Sequence, residues 1–345
     1  MTAAELRIGV IGAGAMGSDH IKRITRRISG ARVSAVVEPD ETRAQAAVQS
    51  APGAQAFGRI EDALDAGAVD AVLIATPGFL HEAVLLPSLE AKLPILCEKP
   101  LTPDPESSWR VLEAEQASGA RRIQVGFMRR FDPEYRQLRE LVSAGTAGEL
   151  LMVRAAHRNA SVPEHYQQDM LITDSVVHEL DVLPWLAGAE LRALEVKQPR
   201  RNSLTPERLQ EPILVLMELS NGVLIDLEMN VSVQFGYQVT TEAVFESGVA
   251  RIGENAGLQL WQAGRTGTGV DADFTTRFAT AYDEQVQRWV DAARAGLAGT
   301  GSFVDGPDAW DGYRVAVACQ QGVTALHAPG TRVEVELPER PAFYR

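Results

Sequence analysis

The chain has 345 residues, and 46 acidic against 33 basic side chains give it a formal net charge of −13. This length predicts two domains, because single hydrophobic cores stop growing near about 250–300 residues. The negative charge repels a phosphate backbone and argues against sequence-independent binding of nucleic acid, although backbone amides at a helix start can still bind an anionic cofactor.

The cysteines and the N-terminus indicate a cytoplasmic protein without a membrane segment. Cys97 and Cys319 lie far apart in apolar runs and predict small buried side chains, neither a disulfide nor a metal site. The N-terminal stretch has no basic flank before its apolar residues and contains glycines, unlike a signal peptide. No run approaches the roughly 18 apolar residues that a membrane helix needs.

The first 126 residues alternate short apolar runs with helical patterns. Continuous aliphatic runs are typical of strands buried on both faces, and their alternation with helices indicates a parallel, doubly wound sheet in an α/β domain. The predicted strands are 6–11, 33–37, 69–75, 94–97 and 121–127, and the predicted helices are 15–28, 40–49, 79–91 and 103–118.

After residue 126 the pattern changes to that of an α+β domain with a large, open, mostly antiparallel sheet. The predicted elements are a helix at 133–143, a strand at 150–156, a polar loop at 157–169, a helix at 173–186, strands at 212–219, 223–231 and 237–246, and helices at 274–295 and 308–325. Asn221-Gly222 is a strong hairpin signal between two of these strands. We therefore expect domains at 1–126 and 127–345.

A glycine-rich segment follows the first predicted strand and opens a helix. It is a G-x-G-x-x-G motif, spelled Gly12, Ala13, Gly14, Ala15, Met16, Gly17. In this context the motif indicates a dinucleotide-binding Rossmann domain. Gly12 permits the tight turn, Gly14 lets the backbone approach a pyrophosphate, and Gly17 allows close packing of helix against strand. The diphosphate would lie on the first residues of the helix, Ala15 and Met16.

Glu38 ends the second predicted strand, where an acidic residue binds the adenosine ribose in such domains. Its carboxylate can accept from both ribose hydroxyls and would repel a 2′-phosphate, which favours NAD over NADP. Arg43, one turn into the next helix, keeps NADP possible.

Two strand ends carry further candidate groups of the cofactor site. Thr76 follows the 69–75 strand, and Glu98, Lys99 and Pro100 follow the 94–97 strand. Ligands of doubly wound folds bind at the carboxyl ends of strands, so Lys99 is expected to reach the crevice. A surface lysine at a strand end is the alternative. The Lys99-Pro100 bond can be cis or trans.

A second candidate group lies in the predicted helix 173–186. Asp174 and His178 are four residues apart and would share one helix face, with Asp181 in reach. A carboxylate beside a histidine raises the proton affinity of the imidazole and orients its ring, which suits removal of a proton from a hydroxyl. A structural ion pair at a helix start is the alternative. His157 and Asn159, in the predicted loop, add donors and acceptors for a substrate with many hydroxyls.

The glycine-rich loop, Glu98-Lys99-Pro100 and the later Asp174 and His178 together resemble the Gfo/Idh/MocA oxidoreductase family, and within it the bacterial inositol dehydrogenases. The more specific segments are 126–132 (GFMRRFD), 156–159 (AHRN), 169–186 (DMLITDSVVHELDVLPWL), 282–283 (YD), 306–313 (GPDAWDGY) and 342–344 (AFY). The likeness covers essentially the whole chain.

The resemblance implies a catalytic triad of Lys99, Asp174 and His178, and a second domain whose open sheet assembles a homotetramer. The residues it places near the polyol substrate are Arg129, His157, Asn159, Ser175 and Tyr237. This chain has Phe235 where relatives tend to carry a second tyrosine, which leaves the identity of the polyol or stereoisomer open.

The implied reaction is NAD-dependent oxidation of a ring secondary alcohol, with myo-inositol converted to 2-keto-myo-inositol (scyllo-inosose). His178 would accept the hydroxyl proton, Asp174 would orient the His178 ring, and Lys99 would stabilise the developing alkoxide. No metal is expected, because hydride transfer needs none. Two alternatives remain open: a dehydrogenase of scyllo-inositol, an amino-cyclitol or glucose, and a dinucleotide-binding regulator without catalysis.

Overall fold

A computed structural model describes residues 5–254 and 259–345 of the chain. The chain divides into two compact units, and each is discontinuous in sequence. The first unit contains the chain up to Met128 together with Tyr282–Ala316 and Pro338–Arg345. The second contains Arg129–Ala281 and Val317–Leu337.

The N-terminal part of the first unit alternates strands with helices. Its elements are β1 (Leu6–Ile11), α1 (Ala15–Arg27), β2 (Ala31–Val37), α2 (Glu41–Gln49), β3 (Gln55–Phe57), α3 (Ile60–Asp65), β4 (Ala71–Ile74), α4 (His81–Glu90), β5 (Ile95–Cys97), α5 (Pro105–Ala117) and β6 (Ile123–Val125). The strands form one parallel sheet in the order β3-β2-β1-β4-β5-β6. This confirms the predicted parallel, doubly wound α/β sheet.

The register of this sheet brings four strand ends level with one another. The last residue of β1, Ile11, pairs with the last residues of β2 and β4, Val37 and Ile74, and Ile74 pairs with Cys97 at the end of β5. Since the strand order reverses between β1 and β4, these ends border the crevice where doubly wound folds bind ligands.

The turn from β1 into α1 depends on two glycines. Gly12 has a φ of +92°, in the left-handed region that favours glycine, and a Cβ there would lie 2.9 Å from the carbonyl oxygen of Ala75. A Cβ on Gly17 would lie 1.9 Å from the carbonyl oxygen of Gly12. The tight turn and the close packing of helix against strand that the motif predicts are both present.

The second unit is built on a mixed sheet. Its elements are α6 (Pro133–Ala144), β7 (Leu150–Arg158), α7 (Val177–Ala187), β8 (Leu191–Lys197), β9 (Ile213–Leu219), β10 (Leu224–Asn230), β11 (Gln238–Phe245), β12 (Val249–Ile252), β13 (Leu260–Gln262), β14 (Arg265–Gly267) and α8 (Phe274–Arg277), followed in the chain by α9 (Ala279–Leu297), α10 (Ala309–His327) and β15 (Arg332–Glu334). The main sheet has the order β12-β11-β7-β10-β9-β8-β15. Within this sheet, β7 and β10 are the one parallel pair among the described residues, which confirms a mostly antiparallel sheet.

The central strands of this sheet alternate buried and half-buried residues, as expected when one face covers a core. The predicted hairpin is confirmed, since β9 and β10 pair antiparallel across Asn221-Gly222 and Gly222 has a φ of +87°. Cys97 and Cys319 are both buried and reduced, as predicted. Among residues 5–254 and 259–345, no helix combines the length and the apolar character needed to cross a membrane.

Two C-terminal segments belong to the first unit, whereas the sequence analysis assigned everything after residue 126 to one domain. Val286, Trp289, Val290 and Ala293 form an i, i+3, i+4, i+7 stripe on α9, and all four are buried in one core cluster with residues of β1, α1 and β2. Near the C-terminus, the Tyr344 hydroxyl donates to Glu115 of α5 at 2.7 Å. Sequence patterns predict such a helix but not which core buries its stripe.

Other differences are local. The sequence patterns missed β3, α3, β8 and the short strands after β11, because these elements are brief or too polar to stand out. The predicted loop 157–169 begins too early, since β7 continues through Arg158. The predicted helix 173–186 is instead a π-helical turn, Leu171–Val176, followed by α7. The predicted helix 274–295 is interrupted at Phe278, between α8 and α9.

We expect Gly17→Ala to lower the free energy of unfolding by about 1–3 kcal/mol or more, because the added methyl group meets backbone that cannot yield without moving α1. Gly14→Ala is the matched control. No atom lies within 4 Å of a Cβ placed there, so only the N-cap preference of glycine over alanine is lost, at less than about 1 kcal/mol. Denaturant unfolding of both variants measures the difference, and equal losses would contradict the steric account.

Candidate active site

In the first unit, the residues that follow β1, β2, β4 and β5 lie along one edge of the sheet, and they include the candidate cofactor-binding groups. Backbone bonds extend the pairing past the strand ends, from Gly12 N to Val37 O at 2.8 Å and from Glu98 N to Ile74 O at 2.9 Å. Gly14 caps α1 without any side-chain cap, and no acidic residue lies in the first turn of the helix. Open amides and an unopposed helix dipole fit a diphosphate.

Glu38 is buried just after β2, and both of its carboxylate oxygens accept hydrogen bonds. Oε2 accepts from the Ala13 amide at 3.0 Å, and Oε1 accepts from the Asp40 amide at 3.1 Å and from Arg43 at 2.8 Å. Burial alone would raise the pKa of Glu38, but these hydrogen bonds outweigh it and hold the pKa below its ordinary value. The group is therefore an anion at neutral pH, anchored to the glycine-rich turn.

The Glu98-Lys99-Pro100 segment follows β5, and its Lys99-Pro100 bond is cis. Glu98 is buried and its Oε1 lies 2.7 Å from Nε2 of His20, a fully buried residue of α1. Gly126 leaves room for this carboxylate, since a Cβ there would lie 2.9 Å from Glu98 Oε2. Lys99 is half-buried, and the residue before it, Glu98, is held in place by His20.

His81 joins two of the strand ends. Its Nδ1 lies 2.8 Å from the carbonyl oxygen of Pro100, and its Nε2 lies 2.9 Å from that of Thr76. Because the ring is completely buried and both nitrogens face backbone oxygens, His81 connects the backbone after β4 to the backbone after β5. The half-buried Thr76 lies at the same edge.

In the second unit, Asp174 and His178 lie on either side of the change from the π-helical turn to α7. Asp174 therefore lies in a π-helical turn, which closes i→i+5 hydrogen bonds and is wider than the expected α-helix, and the shared face of Asp174 and His178 stays a prediction. Asp174 is exposed and His178 is half-buried. Asp181, predicted to be within reach of His178, pairs with Arg130 through both carboxylate oxygens.

His157 lies beside His178, with ring centroids 6.4 Å apart. It belongs to β7 and not to a loop, so its ring is set by the sheet. Its Nδ1 lies 3.2 Å from Glu179 Oε2 and 3.3 Å from Arg129, and its Nε2 lies 3.4 Å from the Tyr237 hydroxyl. All four of these side chains are at most 6% exposed.

The charges of this cluster are balanced by pairing. Burial opposes ionisation of both Arg129 and Glu179, but their mutual attraction outweighs it, raising the pKa of Arg129 and lowering that of Glu179. Burial lowers the pKa of His157 below 6.5, with Glu179 and Arg129 acting in opposite directions. Burial also raises the pKa of Tyr237 to about 12. At neutral pH the cluster holds one cation, one anion, a neutral imidazole and a neutral phenol.

The other predicted substrate residues are placed differently. Ser175 is buried, and its hydroxyl lies 2.7 Å from the hydroxyl of Tyr166, which donates to the Met170 carbonyl at 2.6 Å. Asn159 follows β7 and is partly exposed. Phe235, at the position of the expected second tyrosine, is 54% exposed.

Sequence reasoning missed Glu179 and Tyr166. Glu179 stands next to His178 in a helix that is entirely apolar from Val182 onward, and a charged residue buried in such a helix was the available signal. Within the described residues, no group of three or more His, Cys, Asp and Glu side chains is arranged to hold a metal ion.

Two family models match this chain. The model of the oxidoreductase family with an NAD-binding Rossmann fold matches residues 6–127, and the model of the GFO/IDH/MocA C-terminal domain matches residues 135–251. The glycine-rich turn, the uncapped start of α1 and the anchored Glu38 fit the NAD-binding description.

Similar proteins are known over the full length. The chain is 64% identical to inositol 2-dehydrogenase of Leifsonia xyli subsp. xyli over 99% of both chains, and 62% identical to that of Corynebacterium glutamicum over 98% of both. Among solved structures, myo-inositol dehydrogenase from Lactobacillus casei, in complex with NAD(H) and myo-inositol, is 34% identical with a TM-score of 0.93, covering 99% of this chain and 100% of that one. The chain belongs to the Gfo/Idh/MocA family of oxidoreductases.

Proposed function

We propose that this chain is an NAD-dependent dehydrogenase that oxidises a ring secondary alcohol of a cyclitol, converting myo-inositol to 2-keto-myo-inositol. The observation that carries the proposal is the grouping of His178 with His157 and Tyr237, where ring nitrogens and a hydroxyl lie side by side. Polyol hydroxyls both donate and accept hydrogen bonds, so such a group suits them. The high identity to inositol 2-dehydrogenases supports a cyclitol.

The first unit would hold the cofactor. The residues proposed to contact it are Gly12, Gly14, Ala15, Met16, Gly17, Glu38, Thr76, Glu98 and Lys99. Bound NAD supplies the carbon that accepts the hydride. The amides at the start of α1 bind its diphosphate, and the borders of the crevice orient it.

The proton of the reacting hydroxyl goes to His178, acting as a general base as the hydride leaves the same carbon. Asp174, four residues earlier in the π-helical turn, stabilises the imidazolium that forms on His178. Lys99 donates to the developing alkoxide and stabilises its charge. The residues proposed to orient the remaining hydroxyls are Arg129, His157, Asn159, Ser175 and Tyr237. Arg129 does so by holding His157, and Ser175 by holding Tyr166.

We also propose that NAD is preferred to NADP. The anionic Glu38 accepts ribose hydroxyls and repels a 2′-phosphate. Arg43 is the group that could bind such a phosphate, but it is paired with Glu38 at 2.8 Å. Its charge is therefore already partly neutralised at the place where the phosphate would bind.

The biological setting completes the proposal. We assign cofactor binding to the first unit, and substrate binding and oligomerisation to the second. The half-buried Leu214, Leu216 and Val244 lie on the side of the second sheet away from its buried residues, which supports its use in a homotetramer. The proposed place of action is the cytoplasm, in polyol catabolism, with no role in binding nucleic acid or membranes.

Glu38→Ala should weaken NAD binding about 10- to 100-fold, the loss expected for hydrogen bonds to a charged acceptor, and leave NADP binding nearly unchanged or stronger. Titration of both dinucleotides by fluorescence measures the two dissociation constants. The exposed Glu41→Ala on α2 is the matched control and should change neither. Equal weakening of both dinucleotides would show that Glu38 does not bind the ribose.

His178→Ala should lower turnover at least a hundredfold while NAD affinity stays the same, because a general base contributes about 10²–10⁴-fold. The control is His327→Ala, another histidine beside an aspartate but 60% exposed. Steady-state kinetics with myo-inositol and NAD provide the measurement. Near-normal turnover of His178→Ala would refute its role as base.

The function itself is tested by a polyol panel of myo-inositol, scyllo-inositol, an amino-cyclitol and glucose, each with NAD and with NADP. We expect the highest kcat/KM for myo-inositol with NAD, measured by the absorbance of the reduced cofactor. A higher value for another member would change the assigned substrate, a result that Phe235 would help to explain. Binding of NAD without turnover of any member would favour a regulatory protein instead.

A further inference from the structure

Glu179 is a buried carboxylate with no role in the reaction proposed above. It is 1% exposed and lies between two polar side chains of the second unit. One carboxylate oxygen pairs with the Arg129 guanidinium, and His157 Nδ1 lies 3.1 Å from Oε1 and 3.2 Å from Oε2. A carboxylate is costly to bury, so its position against a histidine calls for a reason beyond packing.

We propose that Glu179 is a positioning residue that holds His157 in the tautomer with its proton on Nδ1, so that Nε2 presents a hydrogen-bond acceptor to a substrate hydroxyl. The proposal rests on the proposed function for the identity of that hydroxyl as part of a polyol. The tautomer itself does not depend on the substrate.

Nδ1 of His157 has two polar neighbours, Glu179 and Arg129. An ionised carboxylate only accepts, whereas a guanidinium only donates, so Glu179 favours a proton on Nδ1 and Arg129 favours its absence. Glu179 is the nearer of the two at both oxygens. Two carboxylate oxygens thus face Nδ1 against one guanidinium nitrogen, which favours the tautomer with the proton on Nδ1.

The neighbours of Nε2 are compatible with this tautomer. At 3.4 Å the Tyr237 hydroxyl is too far away to compete strongly for the single lone pair of a bare Nε2, so this lone pair can accept from a substrate hydroxyl. The amide of Asn159, which also interacts with the ring, carries both a donor and an acceptor and can adapt to either state. Since burial lowers the pKa of His157, the ring is neutral at neutral pH and one nitrogen remains available as an acceptor.

This arrangement defines what the ring can recognise. Nε2 would accept from a substrate hydroxyl that donates, and a position carrying a carbonyl, an ether or no oxygen at all would leave the buried nitrogen unsatisfied. Reversal of the tautomer would make Nε2 a donor and remove this preference. Glu179 would therefore influence specificity without touching the substrate.

The first test uses the unaltered protein. Solid-state ¹⁵N NMR of protein labelled at histidine distinguishes protonated from bare ring nitrogens, and the spectrum of His157→Asn identifies the signals of His157. At pH 8 we expect Nδ1 of His157 to carry the proton and Nε2 to be bare. The opposite tautomer would overturn the proposal whether or not any polyol is oxidised, which separates its failure from that of the proposed function.

The second test compares Glu179→Gln with Asp181→Asn. Because the Arg129 guanidinium only donates, it would hold the carbonyl oxygen of a glutamine and leave the amide NH2 to face Nδ1, so Glu179→Gln should move part or all of the His157 proton to Nε2. Asp181 is an equally buried carboxylate of the same helix that pairs with Arg130, so its variant is matched for burial and for loss of a charge pair. Both variants should lower the midpoint of thermal unfolding, and stability is therefore not the readout.

In kinetics, Glu179→Gln should raise KM for myo-inositol about tenfold with a smaller change in kcat, because a hydrogen bond made equally in the ground and transition states is lost. NAD affinity should not change. Asp181→Asn should keep both the His157 tautomer and KM. An unaltered tautomer in Glu179→Gln, or the same shift in Asp181→Asn, would overturn the proposal.

Discussion

The parallel register of four strands determines where chemistry can occur in the first unit. Because β2, β1, β4 and β5 end level with one another, the residues that follow them meet along one edge of the sheet. Gly12, Glu38, Thr76 and Lys99 come from four separate stretches of sequence and share only this property. The two glycines of the first turn let α1 begin directly at that edge, so its open amides face the same border. Backbone geometry alone thus provides amides that suit an anion, in a chain of net charge −13.

Buried polar side chains connect the chain segments at this edge. His20 holds the carboxylate of Glu98 on one side, and His81 connects the backbone after β4 to that after β5. Neither histidine is exposed, and each has a partner from a different element. A reaction that depends on atomic positions requires such support, since small displacements of reacting groups cost large factors in rate.

In the second unit, the corresponding constraint is electrostatic. Arg129 and Glu179 are both removed from water, and each is tolerated because the other neutralises it. Burial keeps His157 and Tyr237 uncharged beside His178, and the two charges of the pair act on each of them in opposite directions, which suits the uncharged polyol proposed above. Glu179 binds Arg129 and still has lone pairs that face Nδ1 of His157.

Patterns in the sequence were enough for the architecture and for most of the candidate site. Strand–helix alternation, the G-x-G-x-x-G motif, Glu38 and the Asn221-Gly222 hairpin depend on neighbouring residues, and local sequence encodes them. The resemblance of motifs led to the family, which the comparisons confirm. The roles assigned to Lys99, Asp174 and His178 remain predictions.

The features that sequence could not provide are contacts between distant segments and departures from regular geometry. The widening of the helix start into a π-helical turn and the extension of β7 through His157 arise from packing that no local period encodes. Glu179 was visible as a charge in an apolar helix, but its partners come from residues 22 and 50 positions away. Sequence by itself determined the order and type of the main elements and the edge that we propose for the cofactor. Tertiary structure decided which core buries α9 and which charges meet, because burial and pairing depend on chain segments that only folding brings together.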